Sequence, residues 1–142
     1  MNKAVSGFTL MELVVVIVIL GILAAFAYPR FASMDAEARK AAVEALGGSV
    51  RDATARARAQ ALARGGPATI TMEGQTITML NGYPNEASID NTLMDYSGFQ
   101  FQDVSVARFR RPDAWQPNNC MVTYDNAVAG FRPSIVVHTS GC

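Results

Sequence analysis

The chain has 142 residues, half of them hydrophobic, with twelve basic side chains balanced by twelve acidic ones. That length supports one domain, and the neutral balance gives no general pull on nucleic acid. The lone histidine leaves no multi-His metal site, and the two cysteines stand far from a Cys-x-x-Cys redox spacing.

The first element is apolar. After residues 1–7, whose one charge is Lys3, the run from Phe8 to Tyr28 carries Glu12 and no other charge. As a helix its 21 residues would be about 31 Å long, enough to cross a hydrocarbon core of about 30 Å. The bias of positive charge toward the cytoplasm puts residues 1–7 inside the cell and the rest outside. A carboxylate inside lipid costs on the order of 2.5 to 3.5 kcal/mol, so Glu12 needs a cation.

Two cuts fit this terminus. A secretory signal would be removed after Ala25-Phe26-Ala27 and release a soluble domain at Tyr28, although Glu12 interrupts its apolar region and Pro29 shapes the cut badly. A cut between Gly7 and Phe8 would discard Lys3 and keep the helix; glycine leaves a protease unobstructed. It also creates an α-amine on Phe8, four residues before Glu12. In a bundle of staggered copies, the amine of one chain neutralises the carboxylate of the next.

Beyond Pro29 the pattern stays helical over residues 29–64. Phe31, Met34, Ala38, Ala41, Ala42, Ala45, Leu46, Val50, Ala53, Ala57 and Ala61 form a narrow stripe at three- and four-residue steps. Gly47-Gly48 marks a bend or a close contact, and Gly65-Gly66-Pro67 a stop. Over residues 67–142 the period turns to two. Residues 68–72 and 75–80 read as a hairpin about Glu73-Gly74, and Asn81-Gly82-Tyr83-Pro84-Asn85 as a break. Residues 88–96 suit a short helix capped by Ser88, residues 98–118 stay open, and residues 119–124 and 134–139 read as strands. The expected class is α+β, a long helix under one small antiparallel sheet. With an export signal the two cysteines imply an oxidising compartment and one pairing, Cys120 with Cys142, which would staple the last strands.

Chemistry-bearing clusters are few. His138 lies in a strand pattern and reads as structural. Asp90, Asp95, Asp103 and Asp113 match no calcium loop, which leaves calcium a weak reading. Arg108, Arg110 and Arg111, close to Phe109 and Trp115, allow a DNA or glycan contact; the plainer reading is a basic loop that meets Asp90 or Asp95 of a neighbouring head. No cofactor, metal or enzymatic activity is indicated.

Gly7-Phe8-Thr9-Leu10-Met11-Glu12 followed by residues 13–20 resembles the class III leader and N-terminal helix of type IV pilins. The resemblance implies cleavage at Gly7/Phe8 by prepilin peptidase, N-methylation of Phe8, and pairing of Glu12 with a neighbouring N-terminus. It further implies a stretch between Gly21 and Pro29 able to unwind in the filament. Its expected parts are a leader 1–7, a transmembrane and assembly helix 8–28, and a head 29–142 of pilin fold. The expected partners are further copies of the chain, prepilin peptidase, the inner-membrane assembly machinery, minor pilins, and the membrane before assembly. Gly82-Tyr83-Pro84 and the tail from Trp115 to Cys142 are similar to the mannose-sensitive haemagglutinin (MSHA) pilins of marine gamma-proteobacteria. A type II secretion pseudopilin, and a minor pilin acting as adhesin or DNA receptor, are the alternatives.

Overall fold

The computed structural model describes residues 8–142, so the expected leader and Gly7 lie outside the described residues. One helix, α1, runs over Leu10–Ala63. By contacts the chain divides after Asp35 into an N-terminal unit and a second unit, Ala36–Cys142.

In the N-terminal unit the helix carries its apolar side chains on all sides. From Leu10 to Phe31 every large one is between 40% and 79% exposed. A helix apolar all round has no polar face to turn to water. By length and composition it can cross a membrane. Gly21 and Pro29 both lie inside continuous helix. Pro29 supplies no N–H for the backbone bond one turn back, so this stretch is intrinsically weaker than its flanks.

In the second unit α1 buries Val43, Leu46, Val50, Ala53, Thr54, Ala57 and Ala61. Steps of three and four residues place them on one face. The expected stripe holds from Leu46 onward and fails before it. Ala38, Ala41 and Ala45 are exposed while Val43 is fully buried, because the larger side chain takes the core position. Phe31 and Met34, which belong to the N-terminal unit, are exposed too. The Gly47-Gly48 pair does not interrupt the helix; Gly47 is the close-contact site. A Cβ there would lie 2.5 Å from Val137 Cγ2, whereas one on Gly48 meets nothing within 4 Å.

Helix α1 ends as its glycines dictate. Gly65 and Gly66 have φ of 81° and 74°. The Gly66 N–H donates to the Ala61 carbonyl at 2.8 Å and Gly65 to Leu62 at 3.1 Å. This paired closure needs residues free to adopt positive φ.

Two sheets follow, not the single sheet expected. Strands β1 (Thr69–Met72), β2 (Gln75–Leu80) and β3 (Tyr83–Pro84) form the first, in that order and antiparallel. Glu73 and Gly74, at φ 48° and 79°, make the tight primed turn between β1 and β2. Asn81 and Gly82, at 54° and 81°, make a second such turn, so the stretch read as a break reverses the chain and seats Tyr83 opposite Leu80. Ile70, Ile77 and Met79 pack against Ala57 and Ala61, where small helix residues admit the sheet closely.

The expected helix at residues 88–96 is absent. Two 3-10 turns, Glu86–Ser88 and Asp90–Thr92, stand there instead. Ser88 caps nothing; buried, its hydroxyl accepts the Thr78 N–H at 3.0 Å and ties the segment to β2. This routing fully buries Ile89, which a cap-and-helix pattern does not anticipate.

The open stretch resolves into β4 (Gln100–Asp103) and β5 (Ala107–Arg110), with a 3-10 turn at Pro117–Asn119. They join β6 (Met121–Asp125) and β7 (Ser134–His138) in a four-stranded antiparallel sheet of order β4-β5-β6-β7. Ala107, Phe109, Val122 and Tyr124 face Val43, Leu46 and Val50 in the larger core. Each such large side chain contributes about 1.5 to 3 kcal/mol by leaving water. Buried Tyr124 donates its hydroxyl to the Pro84 carbonyl at 2.5 Å and links the two sheets.

Candidate functional site

The distinctive chemistry sits where α1 begins. Thr9 immediately precedes the helix and its hydroxyl accepts the Glu12 N–H at 3.2 Å. The Glu12 carboxylate reaches back to the Thr9 N–H at 3.5 Å and to the Thr9 hydroxyl at 3.4 Å. This is a reciprocal capping box, spelled Thr-x-x-Glu. Its negative member also sits at the positive end of the helix dipole. The signal stood in the sequence as Thr9-Leu10-Met11-Glu12 and was overshadowed by the question of the buried charge. The contacts are long for hydrogen bonds and both residues are exposed, so the carboxylate is held near the terminus yet reachable from outside. Phe8, 71% exposed, immediately precedes Thr9.

The expected basic cluster divides by residue. Arg108 and Arg110 alternate with buried Ala107 and Phe109 along β5, which turns both arginines away from the core. Arg110 donates to Asn118 Oδ1 at 3.0 Å. Arg111 forks onto Asp113, Nε to Oδ1 at 2.9 Å and Nη2 to Oδ2 at 2.8 Å, and its guanidinium lies over the Phe99 ring. Arg39 of α1 reaches the same carboxylate at 3.3 Å and the Cys142 carbonyl at 3.2 Å. Arg111, foremost, and Arg39 hold the Asp113 carboxyl below the usual carboxylate range. Phe109 is fully buried and closed to a ligand, whereas Trp115 is 85% exposed. A shared stacking surface of three arginines and two aromatics is therefore not assembled. Of the acids named with them, Asp95 is lowered by its hydrogen bonds to Ser97, and Asp90 is raised by burial.

Cys120, fully buried just before β6, is bonded to Cys142 after β7, 22 residues on. Gly141 is tightly enclosed there, since a Cβ would lie 2.7 Å from the Gln116 carbonyl. His138 lies 3.5 Å from the Thr123 hydroxyl across the β6–β7 pair. Among the described residues no three His, Cys, Asp or Glu side chains group as metal ligands.

Residues 2–28 match the family model described as the prokaryotic N-terminal methylation motif. The chain is similar to the type IV narrow pilus major component PilA5 of Thermus thermophilus, with 53% identity over 56 residues, 39% of this chain and 48% of that protein. It thus spans about half the length of the curated relative it matches. No solved structure matches it. The start of α1 and its capped acid therefore lie within the residues that match the prokaryotic N-terminal methylation motif.

Proposed function

We propose that the chain is the structural subunit of a type IV pilus, polymerising through its apolar N-terminal helix into a surface filament for attachment or motility. The carrying observation is a helical stretch, from Leu10 to Phe31, whose large apolar side chains stand at least 40% exposed, with one acid at its head. Such a surface is stable in lipid or against copies of itself. The methylation motif and the similarity to a pilus major component support the second environment as the end point.

On this reading residues 1–7 are a leader, residues 8–28 the membrane and assembly helix, and residues 29–142 the head. Prepilin peptidase cuts Gly7 from Phe8 at the inner membrane and methylates the new amine. The Glu12 carboxylate then pairs with the amine of a neighbouring Phe8 as helices leave lipid for the filament. Lipid and helix bundle are similarly apolar, so packing and this ion pair supply register. Gly21 and Pro29 mark the stretch that unwinds on assembly. The inner-membrane machinery and minor pilins are the remaining partners. The narrower assignment to MSHA pilins rests on Gly82-Tyr83-Pro84 and the disulfide-closed tail.

Mass spectrometry of filaments sheared from the cell surface tests the role. The chain is expected as their abundant component. Its absence from them, with filaments present, contradicts the proposal and favours a pseudopilin.

A further inference from the structure

A groove of about 750 Å³ opens in the second unit between α1, β3 and the start of β7. Arg51 and Arg58 reach it from α1, two helical turns apart and so on one face, and Arg132 reaches it from the chain before β7. Tyr83 forms a wall, with the Arg58 guanidinium stacked 4.1 Å from its ring centre. Among the described residues no carboxylate lies within ion-pair distance of these three arginines. Three cations thus converge on a recess where, among the described residues, none of them is in an ion pair.

The opposite arrangement lies beside it. Asp103 faces Ala107, which faces Tyr124, so Asp103 and Asp125 share one end of the sheet, and the Glu86 N–H donates to Asn126 Oδ1 beside Asp125 at 2.9 Å; after burial, these two acids raise the carboxyl of Glu86. Asp103 and Asp125 are exposed. Asp125 pairs with Ser134, a groove residue, so acids and arginines border one another where β6 ends and β7 begins. Each cluster repels itself within one chain, yet the whole chain is neutral. A second copy, displaced along that edge, relieves both.

We propose that the Arg51–Arg58–Arg132 groove is a docking surface for a second copy of this chain, which inserts the end of its sheet that carries Asp103 and Asp125. On the filament reading each copy offers its acids to one neighbour and its groove to another, so the contact is heterologous and repeats head to tail along the polymer. Arginine forks suit paired carboxylates, and such charge complementarity sets register and excludes wrong partners. The inference rests on the filament reading and adds the head contact that the apolar helix does not specify. It also moves the basic partner from Arg111, already occupied by Asp113, to a site without one.

The test uses the full chain in cells that assemble its filaments. Arg51→Glu with Arg58→Glu is expected to lower sheared filament yield at least tenfold at unchanged membrane-held subunit. Adding Asp103→Arg and Asp125→Arg to that chain swaps the charges and is expected to restore yield to within threefold. Wild-type yield from the unswapped variant, or no recovery on swapping, overturns the groove. Since Arg58→Glu also removes the Tyr83 stack, a second measurement avoids charge reversal. Carbodiimide treatment of Arg58→Lys filaments is expected to link position 58 to Asp103, Asp125 or Glu86 of another subunit. Links from position 58 to other acids only, or none, overturn the proposal. Absence of filaments from the unmodified chain would instead overturn the filament reading itself.

Discussion

Replacement of Glu12 by glutamine separates the cap that the structure shows from the ion pair that the proposed function assigns to this residue. As an N3 side chain, Glu12 reaches back to Thr9, and glutamine can do the same. As a charge it would be destabilised in lipid by about 3 kcal/mol, and on the proposed function a neighbouring amine relieves that penalty only in the assembled state. Glu12→Gln keeps the cap and loses the charge; Thr9→Ala keeps the charge and loses the cap hydroxyl that accepts the Glu12 N–H. Loss of a cap costs about 1 kcal/mol, roughly a fivefold effect on an equilibrium. Loss of a 3 kcal/mol difference between lipid and filament is roughly a hundredfold effect. The assay is the ratio of sheared filament to membrane-held subunit by immunoblot. Glu12→Gln is expected to fall as far as Glu12→Ala, with Thr9→Ala only about fivefold below the unmodified chain by the typical cap cost. Normal assembly by Glu12→Gln together with failure of Thr9→Ala would refute the ion-pair reasoning and leave the acid as a cap.

Three further outcomes follow from the second unit, measured on detergent-solubilised protein. Cys120→Ser with Cys142→Ser opens a loop of 22 residues' separation, a loss of about 3 kcal/mol; thermal melting should fall by roughly 12 °C or more. Gly47→Ala drives a methyl into Val137 and should destabilise by about 1 to 3 kcal/mol in urea, whereas Gly48→Ala should stabilise by up to about 1 kcal/mol. Equal effects at the two glycines would contradict the packing described. Asp90 has a raised carboxyl pKa, caused first by burial, and its Oδ1 is buried without a partner. The folded state therefore holds a proton more tightly than the unfolded one. Stability from this group is present below about pH 4 and lost as pH rises through the folded value. Asp90→Asn should raise the urea midpoint at pH 7 and lose that advantage below pH 4.

The sequence carried the long helix, its glycine stop, the Glu73-Gly74 hairpin and the disulfide strands, because each depends on local periodicity or on residues that tolerate unusual backbone angles. Val43 was missed because a stripe of alanines fits several phases of one helix, and only the facing sheet selects the buried one. Asn81-Gly82 carried the same turn signal as Glu73-Gly74, but the strand it starts has two residues and shows no period. Ser88, a residue type that favours the cap of a helix, instead gives its hydroxyl to Thr78, a partner ten residues away. At the candidate site the acid and its odd placement were legible, and the Thr9 cap was spelled out four residues long. The arginine groove was not legible, since Arg51, Arg58, Tyr83 and Arg132 come together only through packing of three separate elements.

Whether Phe8 becomes the N-terminus whose amine pairs with Glu12 is read directly by the mass of the N-terminal peptide from sheared filaments. A peptide that starts at Phe8 and carries one additional methyl group is the expected result. A mature chain that starts at Tyr28, or one that retains residues 1–7, would contradict it.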